Sequence, residues 1–283
     1  MQTNPFKTRL LIPRSFPMQT NPFKTRLTTP GHVPMLGTWL MSAAPAVAEA
    51  LGLCGFDFLV VDMEHSPLDL ADAVGLMRAI AGTPSESLVR VPWNDQVDVK
   101  RVLDAGARNV MFPFVQSAEE AAAAVAYTRY PPQGVRGVAA VHRGSRYGQT
   151  RDYLHTANAG IAVVIQLETP EALARLPAIA AVPGVDSLFL GPGDLSAAMG
   201  RIGEIAHPEV QASIAKAARD AHAAGKPIGI VGANPEIVAQ YLGYGYDWVA
   251  IASDLAMLTS RAADFIGAIR GQIPGAPPSG AAY

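Results

Sequence analysis

The stretch AVVIQLETPEALARL, residues 162–176, contains one complete unit of the predicted fold. A run of β-favouring residues ends at Glu168, and Thr169-Pro170 then supplies an N-cap side chain followed by proline at the first helical position. A short apolar strand that leads directly into a helix is typical of parallel β/α units. The stretch therefore predicts an α/β fold if the same alternation recurs elsewhere in the chain.

The alternation does recur along the chain. Strands are predicted at 36–41, 58–62, 88–91, 110–115, 162–168, 187–190, 227–231 and 248–252. Helices are predicted at 44–51, 69–80, 97–105, 118–128, 170–179, 208–224, 235–241 and 255–269. Eight strands that alternate with eight helices fit a closed (β/α)8 TIM barrel in a single domain, a fold of about 250 residues.

An open doubly wound sheet is the competing architecture, because it also alternates strands and helices. Such a sheet usually carries a glycine-rich phosphate-binding turn after its first strand, whereas residues 42–45 read Ser-Ala-Ala-Pro. The closed barrel is therefore preferred. Residues 131–160 form an unusually long connection with arginines, glycines and tyrosines, and we expect an active-site loop there.

The two termini are predicted to lie outside the barrel. The phrase MQTNPFKTRL occupies residues 1–10 and returns once at residues 18–27, which excludes a repeat architecture and favours a duplicated start, with the functional protein beginning at or after Met18. Residues 1–30 are predicted to be a duplicated, disordered segment, and residues 31–271 to form the barrel. Residues 272–283 are rich in proline and glycine and are predicted to be a flexible tail.

The composition of the 283 residues limits the classes of partner. A formal charge of −2, from 22 basic and 24 acidic residues, predicts neither a nucleic-acid nor a membrane partner. The apolar runs are far shorter than the roughly 20 residues that span a bilayer. Cys54 is the only cysteine, so no intramolecular disulfide is possible and a cytoplasmic location is expected. We interpret Cys54 as a buried structural thiol.

Polar residues lie at or just beyond the carboxyl ends of four predicted strands, where a (β/α)8 barrel places its chemistry. They are Asp62, Glu64 and His65 at the second strand, Arg90 at the third, Gln166 and Glu168 at the fifth, and Gly193 and Asp194 at the sixth. Glu168 and Asp194 are suited to an octahedral divalent ion such as Mg²⁺, Mn²⁺ or Co²⁺, with water and substrate completing the coordination. The alternative is that each acid caps the helix that follows it.

His65 and Arg90 are the other candidates for catalysis. His65 follows Asp62 closely enough for the carboxylate to orient the imidazole, which suits proton transfer, while the alternative is a solvated or structural histidine. Arg90 is costly to hold at a strand end without an anionic partner. That partner is a substrate anion or, in the structural alternative, the carboxylate of Asp62 or Glu64.

Five motifs resemble those of the HpcH/HpaI family of class II pyruvate aldolases. They are FDFLVVDMEHSPLD (56–69), VRVPWND (89–95), RYPPQGVRGVA (129–139), VVIQLETPEAL (163–173) and GPGDLSAAMG (191–200), and the resemblance runs from about residue 37 to residue 263. It implies a (β/α)8 barrel. It also implies Glu168 and Asp194 as metal ligands, Arg90 as the substrate-binding arginine, His65 with Asp62 as the acid/base pair, Gln166 and the backbone at Gly193 along the pyruvate site, and Glu64 beside the metal-bound waters.

The resemblance further implies a reversible retro-aldol cleavage of 4-hydroxy-2-oxo acids to pyruvate and an aldehyde, through a metal-stabilised pyruvate enolate. Members of the family are commonly hexamers. Two alternatives stay open: a citryl- or malyl-CoA lyase, which needs an adenine and pantetheine site, and a metal-binding barrel without catalysis. Gly193 replaces an alanine that is common in relatives, and the loop 141–153, with Arg143 and Arg146, departs from the family pattern. The preferred aldehyde is therefore not predicted.

Overall fold

The computed structural model describes residues 20–29 and 31–272. Its sheet is a closed barrel of parallel strands that follow one another in sequence order. The strands are Met35–Leu40 (β1), Phe58–Asp62 (β2), Glu86–Arg90 (β3), Asn109–Phe112 (β4), Ala162–Leu167 (β5), Ser187–Leu190 (β6), Ile228–Gly232 (β7) and Trp248–Ser253 (β8). The predicted single-domain (β/α)8 TIM barrel is confirmed.

Helices surround this barrel. They are Pro22–Thr28 (α1), Pro45–Gly52 (α2), Leu70–Ile80 (α3), Gln96–Asp104 (α4), Ala118–Thr128 (α5), Tyr153–Gly160 (α6), Pro170–Ala174 (α7), Leu176–Ala180 (α8), Pro192–Ala198 (α9), Pro208–Ala223 (α10), Pro235–Gly243 (α11) and Asp254–Arg270 (α12). The helix predicted at 170–179 is divided into α7 and α8, because Pro177 has no N–H for the helical ladder. Within the described residues, no helix combines the length and apolar character needed to cross a membrane.

The interior of the barrel is filled by large aromatic side chains. Phe58, Phe189 and Trp248 are fully buried, and the rings of Phe58 and Trp248 meet edge to face at 5.4 Å. Gly37 and Gly229 leave the space for these rings, since a Cβ atom at either position would overlap Phe58 or Trp248. The barrel is therefore a packed core, and its chemistry is confined to its ends.

Helix α1 closes the amino-terminal end of the barrel. Phe23 and Leu27 lie one helical turn apart and are both buried. The ring of Phe23 packs edge to face against Phe58 at 5.6 Å and against Trp248 at 5.7 Å. The helix thus extends the aromatic core of the interior.

Polar contacts fix α1 to the strand starts. The side chain of Asn21 accepts the backbone N–H of Lys24 at 3.1 Å and donates to Asn109 at 2.8 Å. Lys24 pairs with Asp186 at 3.1 Å. The prediction of disorder through residue 30 is therefore wrong for residues 20–29, because the second copy of the repeated phrase contains a capped amphipathic helix. Residues 1–19 lie outside the described part of the chain.

The long connection at residues 131–160 does not reach the carboxyl-terminal ends of the strands. It links α5 to the start of β5, so it returns to the amino-terminal end of the barrel. Arg136 pairs with Asp104 at 2.7 Å, and Arg143 donates to the carbonyl of Ala105 at 3.0 Å, both at the end of α4. The expectation of an active-site loop here is wrong, because a connection from a helix to a strand lies opposite the barrel's reactive end.

Cys54 also differs from its predicted environment. It is exposed, and its thiol donates to the carbonyl of Ala50 at 3.2 Å. The position follows the last turn of α2, where one face of the chain is open to solvent. The predicted tail at residues 272–283 lies outside the described residues apart from Gln272.

Candidate active site

The predicted site residues meet at the carboxyl-terminal end of the barrel. Asp62 ends β2 and is the register partner of Arg90, which ends β3. Glu168 directly follows β5, and Asp194 lies in the first turn of α9 after β6. Helix α9 begins beside Glu168, because its N-cap Gly191 lies against that carboxylate, and Asp194 is in the first turn of this helix. The structure thus brings together the ends of four strands, as the sequence predicts.

Arg90 is held rigidly at this end. Its Nε and Nη2 atoms donate to the two carboxylate oxygens of Asp62 at 2.8 and 2.7 Å. Its Nη1 atom lies 2.9 Å from Glu64 Oε2, and its guanidinium stacks over the Trp39 ring at 4.3 Å. Two parallel bonds from one guanidinium fix its plane as well as its position. The salt bridge expected in the structural alternative is present, because Arg90 pairs with both Asp62 and Glu64.

Asp62 does not orient the imidazole of His65. In addition to Arg90, Asp62 Oδ1 accepts the backbone N–H groups of Glu64 at 3.1 Å and His65 at 3.4 Å, so it shapes the turn after β2. The acid beside the imidazole is Glu64, with Oε2 3.8 Å from His65 Nε2. The expected contact between Asp62 and the imidazole is therefore wrong, because the register partner Arg90 engages both oxygens of Asp62.

His65 itself is accessible. Its side chain is 59% exposed, whereas that of Glu64 is 14% exposed. The imidazole therefore lies at the edge of the site, where it can contact both a bound substrate and water.

Glu168 is almost completely buried and is held at both oxygens. Oε1 accepts from Gln166 Nε2 at 2.8 Å, and Oε2 accepts the backbone N–H of Phe114 at 2.8 Å. Phe114 reaches this carboxylate from the end of β4 with a left-handed φ of 53°. Gly191 passes so close that a Cβ atom there would lie 2.6 Å from Oε1. The position of Glu168 is thus set by three different strand ends.

Burial and neighbouring carboxylates raise the pKa of Glu168 and of Glu64. Burial raises the pKa of Glu168 to about 7, and the charges of Asp194 and Glu64 act in the same direction, against the hydrogen bonds from Gln166 and Phe114. Burial also raises the pKa of Glu64, with contributions from Asp62 and Asp194, while Arg90 and His65 oppose it. A cation placed among these carboxylates would relieve their repulsion.

Neither predicted metal ligand caps a helix. The N-cap of α7 is Thr169, whose side chain accepts the backbone N–H of Ala172. Helix α9 has Gly191 as its N-cap and no side-chain cap bond, which leaves the exposed carboxylate of Asp194 outside the capping role. The capping alternative is therefore wrong for both acids.

The donor set fits a divalent cation that keeps part of its coordination sphere open. Within the described residues, no group of three or more His, Cys, Asp and Glu side chains is arranged to hold a metal ion. Glu168 and Asp194 would supply two hard oxygen ligands, and water and substrate would supply the others. Gln166 Oε1 is buried there without a hydrogen-bond partner, so one further acceptor is available at this end.

Sequence reasoning missed three contributors to the site. Trp39 lies under the Arg90 guanidinium, and its position near the end of β1 was the available signal. The backbone N–H of Phe114 depends on a left-handed residue that no motif indicates. Trp93 and Phe114 stack at 6.1 Å between the ends of β3 and β4 and are both exposed. Their order in the sequence gives no sign of this contact.

The sequence model described as HpcH/HpaI aldolase/citrate lyase matches residues 35–261, a span that includes every site residue described above. The chain belongs to the HpcH/HpaI family. A 2-dehydro-3,6-dideoxy-6-sulfogluconate aldolase of Pseudomonas putida is 54% identical over 237 residues, which cover 84% of this chain and 93% of the relative. A 5-keto-4-deoxy-D-glucarate aldolase of Klebsiella pneumoniae is 44% identical and covers 80% of this chain and 88% of the relative.

Solved structures agree with this assignment. A crystal structure of an HpcH/HpaI aldolase/citrate lyase family protein from Burkholderia cenocepacia superposes with a TM-score of 0.86 at 41% identity, over 89% of this chain and all of that one. As an HpcH/HpaI aldolase the protein is a carbon–carbon lyase, of the class II type that cleaves keto-deoxy acids. The non-enzymatic alternative is thereby set aside.

Proposed function

We propose that the protein is a divalent-metal-dependent pyruvate aldolase that cleaves 4-hydroxy-2-oxo acids reversibly to pyruvate and an aldehyde. The observation that carries the proposal is the buried carboxylate of Glu168, whose pKa is raised to about 7 beside Asp194 and Glu64. Such a carboxylate is costly to hold ionised unless a cation joins it. The fixed cation Arg90 lies at the same end of the barrel, where it can receive an anionic substrate.

Glu168 and Asp194 are the residues that would hold the ion, which we expect to be Mg²⁺, Mn²⁺ or Co²⁺. A bound divalent ion supplies Lewis acidity toward the keto oxygen of the substrate, which favours negative charge there. Gln166 and Phe114 keep the Glu168 carboxylate in one orientation. The chain therefore provides a preorganised ligand rather than a mobile one.

Arg90 would bind the substrate next to this position. A guanidinium carries five N–H groups, and three of them face Asp62 and Glu64. The remaining two can donate to the oxygens of a 2-oxo acid. Because Asp62 and Trp39 fix the plane of the guanidinium, these donors need no reorganisation as charge develops.

His65 would move the proton. In cleavage, the C4 hydroxyl gives its proton to the imidazole or to a water beside it. The C3–C4 bond breaks with its electron pair left on C3, and C4 leaves as the aldehyde carbon. Return of the proton to C3 completes the methyl group of pyruvate. Glu64 lies beside the imidazole, with its Oε2 atom 3.8 Å from His65 Nε2. We assign to Glu64 the partner role that the sequence assigned to Asp62.

The relatives suggest the substrate class. They are named for a six-carbon sulfonated sugar acid and for a six-carbon dicarboxylic sugar acid. We infer that the substrate here is a 2-oxo-3-deoxy or related keto-deoxy sugar acid with an anionic group at the end remote from the keto acid. The exposed pair of Trp93 and Phe114 lies beside the opening where that end would extend.

We also infer that the enzyme is a homo-oligomer, in keeping with the hexamers of the family. Leu258, Phe265, Ile266 and Ile269 of α12 are each at least half exposed, a density of apolar surface that is typical of an interface. Light scattering should give a mass above that of one chain. Phe265→Glu should lower that mass, Leu53→Glu on exposed surface elsewhere should not, and a monomeric wild type would contradict the inference.

Exchange of the pyruvate methyl protons for deuterium, followed by NMR, tests the reaction without knowledge of the aldehyde. We expect exchange with Mg²⁺ that stops with EDTA and in Glu168→Gln. Glu171→Gln is the matched control, because Glu171 is an exposed acid on α7 just beyond the site. Absence of exchange with Mg²⁺, Mn²⁺ and Co²⁺ in the folded wild type would overturn the proposed mechanism.

A further inference from the structure

The amino-terminal end of the barrel contains an open cavity of about 560 Å³. It lies between α3, α6, the loop at residues 143–150 and the starts of β3 and β4. β3 begins at Glu86 in the wall of this cavity and ends at Arg90 in the candidate active site, so the two sites occupy opposite ends of the barrel. The volume is within the range of about 300–1,000 Å³ that is usual for small-molecule sites.

Guanidinium groups dominate the charge of the cavity wall. Arg78, Arg108, Arg143 and Arg146 line it, and Glu86 is the single carboxylate among the described lining residues. Four cations and one anion leave a strongly positive concave surface. A surface of this kind concentrates anions, and it does so more strongly than an equally charged flat surface.

The cations also act on one another. Burial lowers the pKa of Arg143, and the charge of Arg78 lowers it further. Burial likewise lowers the pKa of Arg108, where Glu86 opposes the effect and Arg146 adds to it. The arginines line one cavity, so their charges repel one another, and an anion with several oxygen atoms would reduce that repulsion.

Local backbone structure and a hydrogen bond hold the Arg143 side chain in place. Arg143 begins the short 3-10 helix Arg143–Ser145, where the side chains of His142 and Ser145 each accept the other residue's backbone N–H in a capping box. Its Nη1 atom donates to Ala105 O at 3.0 Å. Gly106 has a φ of 104°, and a Cβ atom there would lie 2.5 Å from that nitrogen. Glycine at this position therefore leaves room for the guanidinium.

The backbone next to Arg143 is strained. Arg146 and Tyr147 have φ values of 51° and 56°, a left-handed conformation that non-glycine residues adopt rarely. Two such residues in succession turn the chain so that both line the cavity. Local strain of this kind is concentrated at binding sites, where the position of a side chain matters more than local stability.

We propose that this cavity binds the phosphate group of a small metabolite, with Arg78 and Arg143 as its principal ligands. Guanidinium groups pair with phosphate oxygens through two parallel hydrogen bonds, and a phosphate offers enough oxygens for more than one arginine. The volume exceeds that of a phosphate ion alone and leaves space for an organic part. The site lies beyond the aldolase chemistry and does not depend on it.

Isothermal titration calorimetry with glycerol 3-phosphate and with inorganic phosphate tests the proposal. The buffer contains about 150 mM NaCl, which screens surface charges. We expect saturable binding that is at least tenfold weaker in Arg78→Gln and in Arg143→Gln. Arg219→Gln is the matched control, since it removes an exposed arginine from α10 and should leave binding unchanged. Arg78 is exposed on α3, so its variant keeps the test valid even if Arg143→Gln fails to fold.

The two probes distinguish the sources of the phosphate. Tighter binding of glycerol 3-phosphate supports a phosphorylated metabolite, and equal binding supports a site for free phosphate. The proposal is overturned if the wild type binds neither probe, if Arg219→Gln weakens binding as much as Arg78→Gln does, or if succinate binds and both phosphates do not.

Discussion

Asp62 and Arg90 are register partners on β2 and β3, and their side chains form two parallel hydrogen bonds of 2.8 and 2.7 Å. Both side chains are buried, with exposures of 1% and 8%. A buried pair of this geometry contributes mainly by fixing position, because the desolvation of the two charges offsets much of their attraction. A substitution that removes one member of the pair leaves the other charge buried without this partner.

Asp62→Asn should therefore lower the free energy of unfolding by about 3–5 kcal/mol, since Arg90 would keep a buried charge with one strong acceptor fewer. Urea denaturation measures the change. Asp220→Asn removes an acid from the exposed pair with Lys216 and should cost less than about 1 kcal/mol. Equal losses of unfolding free energy in the two variants would contradict the expectation that the buried pair matters more for stability than the exposed one.

Phe23→Ala should destabilise the protein by about 3–5 kcal/mol, because the ring fills the closed end of the barrel against Phe58 and Trp248. Thermal or urea unfolding is the measurement. Leu53→Ala removes an apolar side chain that is 65% exposed and should change stability by less than about 0.5 kcal/mol. A loss below about 1 kcal/mol for Phe23→Ala would mean that α1 is not part of the stable core.

Metal affinity should increase with pH. The raised pKa of Glu168, about 7, means that a cation must displace a proton below neutral pH, whereas no proton competes above it. Between pH 6 and pH 8 the fraction of ionised Glu168 changes about tenfold, and the apparent affinity for Mn²⁺ should change by about the same factor. Calorimetry in two buffers of different ionisation enthalpy should detect proton release at pH 6. An affinity that is the same at both pH values would exclude Glu168 as a titrating ligand.

Gly193→Ala and Gly191→Ala should have opposite consequences. A Cβ atom at Gly193 meets nothing within 4 Å, so alanine should preserve metal binding and stabilise the first turn of α9 by up to about 1 kcal/mol. A Cβ atom at Gly191 would lie 2.6 Å from Glu168 Oε1 and should reduce metal affinity at least tenfold. Calorimetry with Mn²⁺ compares them, and a loss of affinity in Gly193→Ala would contradict the described geometry.

The sequence predicts the barrel well, because its strands and helices carry local signals. Asp69, Asp95 and Ser117 cap helices in the structure through their side chains. The second strand is predicted at 58–62 and observed at Phe58–Asp62. Strand order and the shared end of the polar residues then follow from the architecture.

The pairing of side chains within the site is less predictable. Asp62 lies far closer in the sequence to His65 than to Arg90, yet the structure pairs its carboxylate with Arg90. Register decides this contact, and register depends on the whole sheet. The helix at Pro22–Thr28 was missed because its repeated sequence was interpreted as a duplicated start. Its apolar face is stabilised only by packing against the barrel interior, which the local sequence does not show.

The orientation of Glu168 depends in part on a main-chain atom. The N–H of residue 114 is present whichever non-proline side chain stands there, provided that the backbone keeps its φ of 53°. The Phe114 ring, in contrast, is exposed against Trp93 at the opening. Residue 114 therefore holds the Glu168 carboxylate through its backbone and presents its ring to solvent. A substitution that tolerates the left-handed conformation, such as Phe114→Asn, should change the range of aldehydes that the enzyme accepts while Glu168 keeps its backbone hydrogen bond.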